Sequence, residues 1–260
     1  MAHITIETGS NTLCMSTSIH VVYPLEARRP SSSTLYLLHG AGDNASTWQR
    51  LTTIEMYAQQ YNCTVIMPEA NRSYYTDMAY GLNYFQFMTE ELPELCGHLL
   101  RLNPDPQRTY VAGLSMGGYG ALKCALTYPN RYSKAVSLSG VTDIQRRLRD
   151  GEMSHGMIKE MQAVFGRELT VSPEQDLYAL AQERLKNKDS LPSILCCCGS
   201  SDPFVEMNRK FAAYMTDTAF DFKYVEGAGA HDWLFWEKHL KTTFEFLFTR
   251  NEETERGDAF

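Results

Sequence analysis

Thr109-Tyr110-Val111-Ala112-Gly113-Leu114-Ser115-Met116-Gly117-Gly118-Tyr119-Gly120 joins an apolar run to a glycine-rich segment. Thr109 to Gly113 has the character of a buried strand, and Gly117 to Leu126 has helical periodicity. Between them, Gly113-Leu114-Ser115-Met116-Gly117 is a G-x-S-x-G pentapeptide that must turn strand into helix within a few residues. A serine on so sharp a turn takes up a strained backbone, and the flanking glycines remove side chains that would clash. Its hydroxyl then stands above the sheet edge, at the positive end of the next helix.

On either side of this unit, strands and helices alternate. Thr34-Leu35-Tyr36-Leu37-Leu38 is a continuous apolar run ending at His39-Gly40, and Cys63 to Met67 is another, stopped by Pro68. Ala135 to Leu138, Ser193 to Cys198 and Phe222 to Val225 follow the serine as further strands. Helical patterns fill the gaps: Ser46 to Gln60, Tyr84 to Leu102 with Leu92, Leu95, Leu99 and Leu102 along one side, Phe204 to Met215, and Trp233 to Phe248. Uninterrupted apolar strands are those covered on both faces. Their alternation with helices predicts an α/β fold, with a mostly parallel central sheet and helices on both faces. Ile4 to Glu7 and Thr17 to Tyr23, separated by Gly9-Ser10-Asn11, predict an antiparallel opening, and Pro30-Ser31-Ser32-Ser33 a loop. Residues 141–190 hold no clear strand but several polar helical stretches and a Met-rich patch (Met153, Met157, Met161). They are expected to form a small helical cap over the C-terminal edge of a single domain spanning 1–260. Residues 249–260 are expected to fray.

Composition narrows the partners. A net charge of -7 argues against coating nucleic acid, whose phosphates call for a basic face. No apolar stretch is long enough to span a membrane, and the N-terminus lacks a basic-then-apolar leader, which predicts a cytoplasmic setting. The seven cysteines have no metal-finger spacing. Cys196-Cys197-Cys198 point to alternate faces of one strand, so they read as packed thiols, with no metal site.

A serine hydroxyl near neutral pH needs a base. In the α/β-hydrolase fold, to which a strand–G-x-S-x-G–helix unit in such a sheet points, the order is Ser, acid, His. His155 falls in the expected cap, and His239 within the last helix, facing solvent or a helical neighbour. His231 follows the last strand through Glu226-Gly227-Ala228-Gly229-Ala230 and is the expected base. Asp202, just past Cys196 to Cys198 and before Pro203, is the expected acid. It also suits a helix N-cap, and Asp232 is its rival. Backbone N–H groups of Met116 and Ala41 (in His39-Gly40-Ala41-Gly42) are the expected oxyanion donors, with His39 bracing that turn. Trp48, Tyr75 and Trp233 are candidates to line a pocket. The chemistry implied is acyl transfer on a small-molecule ester, without a cofactor.

Further motifs carry a resemblance. Tyr36-Leu37-Leu38-His39-Gly40, Tyr75-Thr76-Asp77 with Tyr80-Gly81, Glu90-Glu91-Leu92-Pro93, Ala112 to Gly120 and His231-Asp232-Trp233 with Trp236-Glu237-Lys238 resemble the tributyrin esterases. These sit in the wider putative-esterase group, with S-formylglutathione hydrolases, feruloyl esterases and mycolyltransferases. The resemblance implies an α/β-hydrolase, an intracellular bacterial esterase for short acyl chains (acetyl to butyryl), metal-free and often homo-oligomeric. It places nucleophile, acid and base on Ser115, Asp202 and His231. Within enzymes the alternatives are a thioester hydrolase of the S-formylglutathione type, a feruloyl or acetyl-sugar esterase, or an acyltransferase. Outside enzymes, an inactive binding module could keep this scaffold.

Overall fold

The computed structural model describes residues 1–25, 33–102, 105–150, 153–187 and 190–249. Its strands are β1 (Ala2–Ser10), β2 (Met15–Tyr23), β3 (Ser33–Leu38), β4 (Cys63–Pro68), β5 (Thr109–Leu114), β6 (Lys134–Leu138), β7 (Ser193–Gly199) and β8 (Phe222–Gly227). They form one sheet in the order β1-β2-β4-β3-β5-β6-β7-β8. β1 and β2 pair antiparallel, β2 joins β4 antiparallel, and every pair from β4 to β8 is parallel. This is the α/β-hydrolase arrangement, a mostly parallel sheet with helices around it. The apolar runs behave as their composition requires: every residue of β3, β4, β6 and β7 is buried. β1 is an edge strand, and its residues alternate between partly covered and exposed.

The helices are α1 (Thr47–Leu51), α2 (Ile54–Gln60), α3 (Tyr84–Gln86), α4 (Leu92–Leu100), α5 (Met116–Thr127), α6 (Ile144–Asp150), α7 (His155–Phe165), α8 (Leu177–Asn187), α9 (Val205–Thr216) and α10 (Trp233–Phe248). One face of the sheet packs α4, α5, α8 and α9 around Tyr119, Tyr132 and Phe211. The other packs α1, α2 and α10 around Trp48, Phe244 and Leu247. Among the described residues no helix is long and apolar enough to cross a membrane.

Several boundaries depart from the sequence reading. The helix expected over Ser46 to Gln60 is two helices, broken at Thr52-Thr53, where Glu237 of α10 accepts from both the Thr53 N–H and its hydroxyl. The helix expected over Tyr84 to Leu102 contains a π turn, Phe87–Glu91. Pro93 follows that turn and has no N–H to offer the preceding carbonyls, and the Arg131 guanidinium donates to the Thr89 carbonyl instead. The wider turn rotates the face that follows, so Leu92 is buried while Leu99 is half-exposed. Ser33 belongs to β3, not to a loop; Pro30 to Ser32, and the expected fraying tail beyond Thr249, lie outside the described residues.

Residues 141–190 contribute α6, α7 and α8. α8 packs against α5, and just before α8 the Gln175 carbonyl accepts from the Tyr119 hydroxyl at 2.7 Å. The end of α7 meets the loop after β4, where the Ala79 and Tyr80 N–H groups donate to the Val164 and Ala163 carbonyls.

Candidate active site

Ser115 stands between β5 and α5 with φ 53° and ψ −115°, a left-handed conformation that is costly for a residue with a Cβ. Close packing enforces it. A Cβ on Gly113 would lie 2.4 Å from the Gly117 carbonyl oxygen, and one on Gly117 would lie 2.4 Å from that of Leu38. Only glycine fits at either position, so strand and helix close on each other and the serine between them is forced outward. Its backbone is clamped on both sides: Ser115 N–H donates to Leu138 O at 2.9 Å, and Val141 N–H donates to Ser115 O at 3.3 Å. Met116 is the first helical residue, so its N–H has no acceptor within the helix and joins the positive end of the α5 dipole.

His231 and Asp202 come from loops that are tied together. Past β7 and β8, Ser200 N–H donates to Gly227 O at 2.8 Å and Ser201 N–H to Gly229 O at 2.9 Å. Gly229 takes φ 156°, and a Cβ there would meet Phe235 at 2.4 Å, so the loop can fold down onto α10 only with glycine. His231 Nε2 then lies 2.9 Å from Ser115 Oγ, and its Nδ1 lies 2.8 Å from Asp202 Oδ2. Asp202 is buried, and its two oxygens divide their partners: Oδ2 faces the imidazole, while Oδ1 accepts the Phe204 N–H at 2.8 Å at the start of α9. The N-cap of α9 is Phe204, so Asp202 is not the helix cap; its carboxylate closes the turn before the helix while facing the imidazole. Asp232 is the N-cap of α10, accepting the Phe235 N–H at 2.9 Å. The imidazole packs edge to face with two rings, Phe204 at 4.9 Å and Trp236 at 5.0 Å between ring centroids. Phe204 is not among the residues that the sequence motifs mark. Only its place two positions after Asp202 could have signalled it.

The turn after β3 lies directly over the serine. A Cβ on Gly40 would be 3.6 Å from that of Ser115, and Asp43 N–H closes the turn on Gly40 O at 3.1 Å. His39 braces it: Nδ1 bonds the Gly40 carbonyl at 2.8 Å and Nε2 accepts from Ala70 N–H at 3.1 Å, with the Glu69 carboxylate 3.3 Å from Nε2. Burial pushes the Glu69 carboxyl upward in pKa. Its contacts with His39 and the Asn71 and Ala45 N–H groups outweigh this and hold it below its ordinary value. Arg72 Nη1 donates to the Ala41 carbonyl at 3.0 Å.

The expected pocket residues divide. Trp48 and Tyr75 are fully buried and have no surface to offer a ligand. They work behind the turn: Trp48 Nε1–H donates to Leu38 O at 3.0 Å, and the Tyr75 hydroxyl to His39 O at 3.1 Å. Burial pushes the Tyr75 phenol well above its usual pKa, so it stays a proton donor. Trp233 is half-buried, its ring edge to face with Trp48 at 5.1 Å and Trp236 at 5.2 Å. His155 is exposed at the start of α7. His239, expected to face solvent or a helical neighbour, is buried, with Nδ1 2.9 Å from the Phe235 carbonyl one turn before it. All seven cysteines are free, and burial pushes the Cys197 and Cys198 thiols up to about 12. At neutral pH these two are packed thiols, not nucleophiles.

Residues 10–247 match the sequence profile of the family described as "Putative esterase". The chain belongs to that family. It is 31% identical over 219 residues to an acetyl esterase of Caldicellulosiruptor saccharolyticus, 82% of each chain. Among solved structures it is similar to the fluorophosphonate-binding serine hydrolase F of Staphylococcus aureus, solved with substrate bound. That similarity has a TM-score of 0.87 and 29% identity, over 96% of this chain and 99% of the other. The S-formylglutathione hydrolase FrmB of the same organism is similar at a TM-score of 0.85 and 29% identity, over 95% and 99% of the two chains. The protein is a serine esterase.

Proposed function

We propose that the protein hydrolyses carboxylic esters of short acyl chains, acetyl to butyryl, through an acyl-enzyme on Ser115. The observation that carries this reading is the run of two hydrogen-bond distances, Ser115 Oγ to His231 Nε2 and His231 Nδ1 to Asp202 Oδ2, at a backbone turn that exposes the serine. His231 takes the hydroxyl proton as Oγ attacks the carbonyl carbon. The Asp202 carboxylate holds the imidazole in the required tautomer and stabilises the imidazolium. The tetrahedral oxyanion is received by the N–H groups of Met116 and Ala41, each contributing roughly 3 kcal/mol to the transition state. His231 returns its proton to the departing alkoxide, and a water activated by the same imidazole then releases the acid. The short acyl preference rests on the acetyl esterase relative.

Ser115→Ala is expected to abolish turnover of p-nitrophenyl acetate and labelling by a fluorophosphonate, with an unchanged circular dichroism spectrum. Retained turnover would remove Ser115 from the role. A second reading, thioester hydrolysis, is favoured by the similarity to the S-formylglutathione hydrolase structure. A kcat/KM for S-formylglutathione well above those for p-nitrophenyl acetate and tributyrin would replace the ester reading. The buried free thiols suit a reducing, cytoplasmic setting.

A further inference from the structure

Arg147 of α6 is half-buried beside the site, in an unusual electrostatic position. Its guanidinium faces the Phe204 ring, Cζ 5.5 Å from the centroid, and Phe204 is the ring that stands edge-on to His231. Nη2 donates to the thioether sulfur of Met157 at 3.3 Å, a weak acceptor. Nε is buried without a hydrogen-bond partner. Among the described residues no carboxylate pairs with it.

The neighbouring groups do not supply the missing charge. Asp143, one turn earlier, accepts the Arg146 N–H at 2.8 Å. Glu160 is engaged by Arg72 at 2.7 Å. The Arg147 guanidinium also hydrogen-bonds the Tyr74 hydroxyl, but burial raises that phenol's pKa, so this partner is neutral and brings no counter-charge. A half-buried guanidinium whose partners are a thioether, a neutral phenol and an aromatic ring is left without a counter-charge, which costs free energy. An acceptor anion would supply that charge, and the arginine fork suits a carboxylate in particular.

Position sets which half of the substrate carries that anion. His231 protonates the leaving group, so the alcohol or thiol departs on the imidazole side. Phe204 lies against that imidazole, with Arg147 beyond it. We infer that Arg147 binds a carboxylate carried on the alcohol or thiol half of the substrate. This rests on the acyl transfer through Ser115 proposed above, and it narrows the substrate class to esters or thioesters whose leaving group is anionic.

The test compares two isosteres, 3-acetoxybenzoate and 3-acetoxybenzamide, whose leaving groups differ by one charge. Wild type is expected to favour the benzoate. In Arg147→Gln the benzoate-to-benzamide ratio of kcat/KM should fall about tenfold or more, chiefly through KM. Arg147→Lys, which keeps the charge but not the fork, should fall between. A ratio within twofold of wild type, or equal losses on both substrates, would overturn the assignment.

Should Arg147→Gln fail to fold, wild type alone decides. 3-Hydroxybenzoate should inhibit at lower concentration than 3-hydroxybenzamide and lose that advantage as salt is added, and equal inhibition overturns the idea. If wild type cleaves neither ester and takes no fluorophosphonate label, acyl transfer at Ser115 fails and this inference with it. If both are cleaved and the ratio does not move, only the anion site fails.

Discussion

At Ser115 the backbone and the chemistry can be separated by experiment. The φ of 53° belongs to a residue with a Cβ, at a cost of roughly 1–3 kcal/mol. Ser115→Ala and Ser115→Gly both remove the hydroxyl and its contact with His231, but only glycine removes the Cβ. Glycine should therefore unfold with a free energy about 1 kcal/mol above alanine, after its own entropic cost, by urea titration of the two variants. Equal stabilities would mean that the turn is not strained. The Asp202 carboxylate is the complementary case, because its two oxygens serve different partners. Asp202→Asn can keep an oxygen on the Phe204 N–H while placing an amide against His231 Nδ1, so the fold should survive. Turnover should drop about 10⁴-fold through the wrong imidazole tautomer. A loss under tenfold would mean that this carboxylate does not govern the tautomer, since Asp232 is committed to the Phe235 N–H.

Among the elements, the β1–β2 hairpin depends on a side chain from the π turn. The Glu91 carboxylate accepts from the Ser10 hydroxyl at 2.8 Å and from the Asn11 and Thr12 N–H groups at 2.9 Å each. Burial tends to raise its pKa, but these hydrogen bonds outweigh it and hold the carboxyl below its ordinary value. The unfolded chain therefore takes up the proton at higher pH than the folded one. The stabilisation is complete above the normal glutamate pKa and is lost as pH falls through the lowered one. Glu91→Gln leaves one oxygen for three donors and should cost about 1 kcal/mol at pH 7, with faster amide exchange at Asn11 and Thr12. The difference from wild type should shrink below pH 4, and a difference independent of pH would exclude the carboxylate as the cause. This element also marks where sequence reading stops. β3, β4, β6 and β7 were legible because burial on both faces writes an unbroken apolar run, and Ser115, Asp202 and His231 because chain order and strand ends constrain them. The π turn was not, because periodicity over Tyr84 to Leu102 averages across one added residue. Trp48 and Tyr75 read as pocket candidates because an aromatic near a strand end can face outward or inward. The choice is made by carbonyls of Leu38 and His39, which no local pattern encodes.

Across the whole molecule, the most informative titration is that of a lysine in the helix that follows the serine. Lys123 is buried, its Nζ 3.3 Å from the Tyr75 carbonyl and 3.8 Å from the centroid of the Phe85 ring. Burial lowers its pKa from 10.5 to about 8, against the weaker pull of Cys124, Asp77 and Glu174. Below pH 8 both folded and unfolded chains carry the charge, and the cost of burying it is present in full, about 3 kcal/mol. Between pH 8 and 10.5 the unfolded chain keeps a proton that the folded one has released, so stability rises with pH. Above that window both are neutral and the cost is gone. Lys123→Met should therefore raise the free energy of unfolding by about 2–3 kcal/mol at pH 7, and its advantage over wild type should vanish by pH 10.5. Subtracting the two curves cancels the other groups that titrate in this range. The same substitution removes the donor to Tyr75, whose hydroxyl steadies His39 and so the turn above Ser115, and ester turnover should fall as stability rises. A variant that gained stability with no loss of turnover would show that Lys123 does not help to hold the turn. One whose advantage persisted at pH 10.5 would show that better packing, not the removal of a buried charge, was the source of the gain.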